Sequence, residues 1–322
     1  NKCEIPNLIT NYDSFLHSDN FIRVFKPKFI IHFGRPLTSP RFEKLTANKS
    51  VKIFIVNKYG DFRFRQAINY TIDSDESVLL KILTSENFNK DTGLILNEIK
   101  NIDLLLERLK NNILFNTNKI NEVQIISEVL TSISPNSNVM IGNSVPIRDL
   151  DFFTSSLKKD VNVYQNRGAS GIDGIISTAS GIASLSKTPT YLIIGDLSFY
   201  YDINSLLTIK KLKIPLLIIL INNNGGAIFK FLPIARSKKV LDKFFLTPTN
   251  LNFGKIVQAF GIDYREIKTK QELINHLKVS AVRKQPVVFE IKTNSDYSLS
   301  LRNKFWKMAV STIDNHLRKY EI

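Results

Sequence analysis

Thr190-Tyr191-Leu192-Ile193-Ile194-Gly195-Asp196 and Leu216-Leu217-Ile218-Ile219-Leu220-Ile221-Asn222-Asn223-Asn224-Gly225-Gly226 are the two stretches whose reading decides the fold. Each is a short apolar run with no polar break, and each ends in residues that favour turns. A strand that is apolar on both faces belongs in a parallel sheet covered on both sides, and the stretch from Asn204 to Lys211 between them reads as the covering helix. That crossover brings the two strand ends side by side, and ligands of such sheets bind beyond the carboxyl ends of the strands.

Working outward, Asn138 to Gly142, Val161 to Tyr164 and Pro286 to Ile291 read as further strands. Asn121 to Ile133, Val145 to Leu157 and the stretch from the Gly-rich Asn166–Gly174 to Ser184 read as helices. Upstream, Phe29 to Gly34 and Val51 to Val56 are predicted strands. A helix is expected from Ser39-Pro40, which supply a cap and a first-turn proline, and others over Ser77 to Leu83 and Asn97 to Asn112. With Asn116-Thr117-Asn118 as a linker, the expected division is residues 1–118, a central Rossmann-like domain, and 119–322, a larger ligand-binding domain. The fold class is α/β, with two doubly wound, mainly parallel-sheet domains.

The 322 residues suffice for about two domains. Hydrophobic residues at 43% and charged residues at 23% exclude a disordered chain, and no apolar run approaches the ~18 residues that cross a bilayer. A single cysteine, Cys3, allows no intrachain disulfide and no multi-cysteine zinc site. The four histidines, His17, His32, His276 and His316, do not cluster in the sequence. The formal charge of +15 suits an anionic partner, but the basic residues are scattered among Asn and Ile. Phe62-Arg63-Phe64-Arg65 interleaves basic and aromatic residues without any nucleic-acid module signature, so nucleic acid is not expected as a partner.

Asp196 and Asn223 lie 27 positions apart, each directly after a strand. Taken singly, Gly-Asp and Asn-Gly are ordinary turn chemistry. Paired in one strand-helix-strand unit, a carboxylate, an amide oxygen and a Gly225 carbonyl converge as hard oxygen ligands suited to Mg²⁺, which completes its shell with water and substrate phosphates. Glycines 168, 171 and 174 fit a helix start packed close to a ligand, although a Gly-rich turn with no ligand is the commoner case.

Gly195-Asp196 followed by Asn222-Asn223 resembles the thiamine diphosphate motif of thiamine-dependent decarboxylases, synthases and transketolases. Together with Asn166-Arg167-Gly168-Ala169-Ser170-Gly171-Ile172-Asp173-Gly174, it is most similar to the 2-succinyl-5-enolpyruvyl-6-hydroxy-3-cyclohexene-1-carboxylate synthases of menaquinone and phylloquinone biosynthesis. The resemblance is strong over residues 138–235. It implies that thiamine diphosphate and Mg²⁺, or Mn²⁺ in its place, serve the decarboxylation of 2-oxoglutarate and addition of the succinyl carbanion equivalent to isochorismate. It also implies Asp196, Asn223 and the Gly225 carbonyl as metal ligands, with Gly168, Gly195 and Ser198 at the cofactor and Ile172 propping its bent form. Ser144, Arg148 and Arg167 match substrate-binding positions, Arg41 a further arginine from the central domain, and Ile228 and Phe229 the apolar substrate side.

Both implied substrates are dicarboxylates, for which the planar fork of arginine is a fitting partner. Family members also carry an N-terminal pyrimidine-binding domain with an activating Glu, to which neither Glu4 nor Glu43 corresponds. The chain is therefore expected to be a fragment or one of two partner polypeptides, to be incomplete alone, and to assemble as a homodimer or homotetramer in the bacterial cytoplasm or a plastid stroma. Another 2-oxoacid decarboxylase or acetohydroxyacid synthase-like enzyme, and a non-catalytic subunit, are the alternatives.

Overall fold

The computed structural model describes residues 8–34, 37–47, 50–58, 68–85, 93–280 and 284–320. It forms two compact units, one of Lys110–Lys304 and one of Asn7–Leu109 with Phe305–Ile322. The expected boundary falls near residue 118, with residues 305–322 in the larger domain. Residues 305–320 instead group with the smaller unit, because Ser295–Leu317 is a single 23-residue helix whose first ten residues belong to one unit and the rest to the other.

In the smaller unit, strands β1 (Phe29–Phe33), β2 (Lys52–Val56) and β3 (Ile68–Ile72) form a parallel sheet in the order β1-β2-β3. Val51, Ile53 and Ile55 are fully buried against Ile30 and Phe42. The helix expected after Ser39 spans Pro40–Thr46; the Ser39 hydroxyl accepts from Phe42 N at 3.2 Å, and Pro40 fills the first turn, where no backbone donor is needed. The helix expected over Ser77 to Leu83 runs Glu76–Ser85, and that over Asn97 to Asn112 runs Gly93–Lys110. Strand β3 is not among the expected elements. It follows residues 61–67, and these, with Phe62-Arg63-Phe64-Arg65, lie outside the described residues.

The larger unit holds a wholly parallel six-stranded sheet of β4 (Asn138–Ile141), β5 (Asn162–Tyr164), β6 (Thr190–Gly195), β7 (Leu216–Asn222), β8 (Asp263–Glu266) and β9 (Val287–Lys292). Its order is β5-β4-β6-β7-β9-β8. Alternate residues of β7 face opposite ways, and both sets are buried. Leu217, Ile219 and Ile221 pack with Ile125, Ile126 and Val129 of the helix Glu122–Ser132. Leu216, Ile218 and Leu220 pack with Ala179 of Ile175–Leu185 and with Leu206 and Ile209 of Ser205–Lys211. The two-faced apolar pattern of the sequence thus has its cause in helices on both sides. The chain leaves β4 for β5 on one side and returns to β6 on the other, so the strand order reverses there, where a crevice opens at the carboxyl ends.

Two features of this unit escape a reading of the sequence. Asp196–Tyr201 is a short helix rather than a loop, and β8, made of Asp263-Tyr264-Arg265-Glu266, is too polar to announce itself as a strand. Among the described residues no helix is long and apolar enough to cross a membrane.

Ile219 is fully buried at the middle of β7. Ile219→Ala is expected to lower unfolding free energy by about 2–5 kcal/mol, and urea denaturation followed by circular dichroism measures it.

Candidate functional site

Parallel register sets Gly195 opposite Ile221, so Asp196 and Asn222-Asn223 leave the sheet as neighbours. Asp196 opens its helix and accepts from Leu197 N at 2.9 Å through Oδ1. Its Oδ2 accepts from Gly225 N at 2.8 Å, which ties the end of β6 to the turn after β7. Within that turn Asn222 Oδ1 accepts from Asn224 N at 3.0 Å, while its Nδ2 donates to Glu290 Oε1 at 2.6 Å. Gly225 sits at φ +141°, and a Cβ there would collide with the Leu246 carbonyl oxygen. Only glycine fits both demands.

These strand ends, with Ser144, Val145, Pro146 and Asp149 after β4, surround a cavity of about 140 Å³. Three carboxylate residues, Glu122, Asp149 and Asp196, line it, and no lysine, arginine or histidine does. Asp196 is 2% exposed; burial pushes its carboxyl up to about 6 against the backbone N–H groups of Gly225 and Leu197. Asn223 Nδ2 donates to Glu122 Oε1 at 2.8 Å, whereas its Oδ1 is buried with no hydrogen-bond partner. A buried carboxylate facing no cation and an orphaned amide oxygen beside it are the donor set a hard divalent cation would satisfy. No group of three or more His, Cys, Asp or Glu that could hold a metal exists among the described residues. A metal here would rest on one carboxylate, one amide oxygen and backbone carbonyl oxygen.

Beneath the cavity, Arg302 is 1% exposed and joins two of its acidic lining residues. Its Nε donates to Asp149 Oδ1 at 2.8 Å, its Nη2 to Glu122 Oε2 at 2.8 Å, and the same Nη2 also to Asp149 Oδ2. Burial alone would lower the Arg302 pKa, but the charges of Asp149 and Glu122 outweigh it and hold the guanidinium above its ordinary value. Nothing in the sequence announces this trio. Glu122 follows the cap Asn121 and reads as a first-turn acid, and Arg302 lies 180 residues away on a helix of mixed polarity. Asp149, the sequence neighbour of Arg148, pairs with Arg302 instead.

Of the sequence-predicted residues, Ser144, Ile172, Gly195, Asp196, Ser198, Asn223, Gly225, Ile228 and Phe229 all line this one cavity. Arg148 and Arg167 flank it without lining it. Arg148 Nη1 donates to Ser144 O at 2.6 Å, and Arg167 Nη1 reaches Asn143 Oδ1 at 3.5 Å. Burial, and then the nearby charge of Arg167, lowers the Arg148 pKa. Gly168 is exposed and not part of the lining, and Arg41 is exposed on the helix Pro40–Thr46 of the other unit.

Residues 154–291 match the family described as thiamine pyrophosphate enzyme, C-terminal TPP binding domain. Over these residues the chain is similar to the thiamine pyrophosphate enzymes. It is 33% identical over 310 residues to a 2-succinyl-5-enolpyruvyl-6-hydroxy-3-cyclohexene-1-carboxylate synthase of Listeria innocua, covering 95% of this chain and 53% of the relative. The synthase of the same name from Bacillus velezensis is 33% identical over 316 residues, again 95% and 53% of the two lengths. That from Geobacillus thermodenitrificans is 32% identical over 320 residues, 97% of this chain and 53% of the relative. This chain thus spans about half the length of the curated relatives it matches, and the segment matched by the family model contains Ile172, Asp196, Asn223 and Gly225.

Gly225→Ala is expected to lower the melting temperature by several degrees, since both the φ value and the collision with Leu246 O must be relieved. Differential scanning calorimetry checks it. An unchanged melting temperature would mean that the turn after β7 tolerates a side chain.

Proposed function

We propose that the chain supplies the diphosphate-binding half of a thiamine diphosphate- and Mg²⁺-dependent synthase that joins a succinyl unit from 2-oxoglutarate to isochorismate. The observation that carries the metal is the buried, unpartnered Oδ1 of Asn223 next to Asp196, which faces no cation. Asp196, Asn223 Oδ1 and the Gly225 carbonyl would hold Mg²⁺, or Mn²⁺ in its place, and Ser198 would lie near the diphosphate. When bound, thiamine diphosphate supplies the acceptor for electrons released on decarboxylation.

The residues of this chain do the rest by position and charge. Ile172, Ile228 and Phe229 form the apolar wall, which keeps water from the reacting end and strengthens every charge interaction inside. Arg148 and Arg167 stand at the rim with donors to spare for substrate carboxylates. A guanidinium has five N–H groups, and one bond to Ser144 O leaves the Arg148 fork largely free. The carboxylate that accepts and returns a proton at the aminopyrimidine would come from a polypeptide outside residues 1–322, in a homodimeric or larger assembly. The relatives' printed name supports this choice of reaction, and arginine rather than an apolar residue at 148 and 167 favours it over other 2-oxoacid decarboxylases.

Asp196→Ala is expected to abolish Mg²⁺-dependent binding of thiamine diphosphate with an unchanged far-UV circular dichroism spectrum. Calorimetric titration measures this, and undiminished affinity would overturn the assignment. Arg148→Lys and Arg167→Lys keep charge but lose the two-point fork, so kcat/KM should fall about tenfold or more, about 1.4 kcal/mol each, with cofactor affinity unchanged. Weakened cofactor binding with normal use of both substrates would reverse those roles.

A further inference from the structure

We propose that Glu122, held by Arg302, is a positioning residue that decides which end of the Asn223 amide faces the cavity. The proposal rests on the metal-binding reading above and extends it to residues outside the metal-ligand set.

An asparagine amide has a donor end and an acceptor end of nearly equal size, and in a buried site its orientation is set by what it must bond. Glu122 Oε1 receives Asn223 Nδ2 at 2.8 Å and Thr293 Oγ1 at 3.3 Å. Both Glu122 oxygens already accept, Oε1 from Asn223 and Thr293 and Oε2 from Arg302 Nη2, so the reversed amide would set oxygen against oxygen, and Glu122 and Arg302 are almost fully buried. The amide oxygen is thereby turned away from Glu122 and left without a protein partner, free for a cation.

Replacing Glu122 by Gln keeps the size and changes the logic. Arg302 would take the Gln oxygen, so the Gln amide would turn its N–H₂ to Asn223. Asn223 would then reverse and present its own N–H₂ to the metal. In Glu122→Gln with Asn223→Asp the bond re-forms with donor and acceptor exchanged, and one oxygen of the new carboxylate again faces the cavity.

The test is Mn²⁺ titration by electron paramagnetic resonance, with thiamine diphosphate present, on the 322-residue chain and its variants. Glu122→Gln should bind Mn²⁺ at least tenfold more weakly, and the double variant should recover to within about threefold of the parent. A merely structural role for Glu122 would predict no recovery. Unchanged affinity in Glu122→Gln, or a double variant as weak as the single one, overturns the proposal while leaving the metal site standing. A parent chain that binds no Mn²⁺ overturns the metal reading and the clamp together. Should Glu122→Gln fail to unfold cooperatively, Thr293→Val, which removes only one hydroxyl from the same oxygen, carries the test: weaker binding by about threefold supports the clamp, and unchanged binding overturns it.

Discussion

The bond from Gly225 N to Asp196 Oδ2, at 2.8 Å, is the constraint on which the site depends. Parallel pairing of β6 and β7 brings two strand ends together, but it leaves both chains free to diverge beyond the sheet. This bond closes the gap. It needs a backbone at φ +141°, which only glycine takes without strain, and it needs the Leu246 carbonyl close behind, where Gly226 N also donates to it at 2.6 Å. The same bond leaves Asp196 buried with two backbone donors and no counter-charge, so the fold concentrates negative potential where a cation could offset it.

The charge of the whole chain is a poor guide to this place. A molecule with a formal charge of +15 lines this cavity, among the described residues, with three acidic residues and no basic one. The one arginine that reaches two of them, Arg302, does so from beneath and is itself almost inaccessible. A buried ion pair of this kind is weak support for stability, because desolvation of the partners can exceed their attraction. Its arrangement, with Arg302 on one oxygen of Glu122 and the Asn223 amide on the other, instead points to orientation as its use.

The core strands and the strand-end chemistry are legible in the sequence because they are local. Apolar runs such as Leu216 to Ile221 declare a doubly covered strand, and Gly195-Asp196 and Asn223 stand directly after such runs. Ser39-Pro40 declares a helix start for the same reason. What fails to show is long-range. Asp263–Glu266 becomes a strand only because it pairs with β9, and residues 305–322 join the smaller unit by packing that no neighbour in sequence announces. Glu122 and Arg302 are not among the expected site residues, since a charge carries no mark of the partner that will bury it.

Ser144 shows how a place on the cavity wall and a backbone requirement meet in one residue. It caps the helix Val145–Phe153 at φ +73° without any side-chain cap bond, a backbone conformation that costs an L residue about 1–3 kcal/mol unless the surroundings enforce it. Pro146 stiffens the first turn, and Arg148 Nη1 holds the Ser144 carbonyl at 2.6 Å. The strain keeps Ser144 on the cavity wall, where a helix started in the ordinary way would spend the serine oxygen on its own backbone. Arg148 therefore serves the turn with one donor and faces the rim with the others. That division explains why an arginine, with its spread of fixed donors, suits the position better than the single ammonium of a lysine.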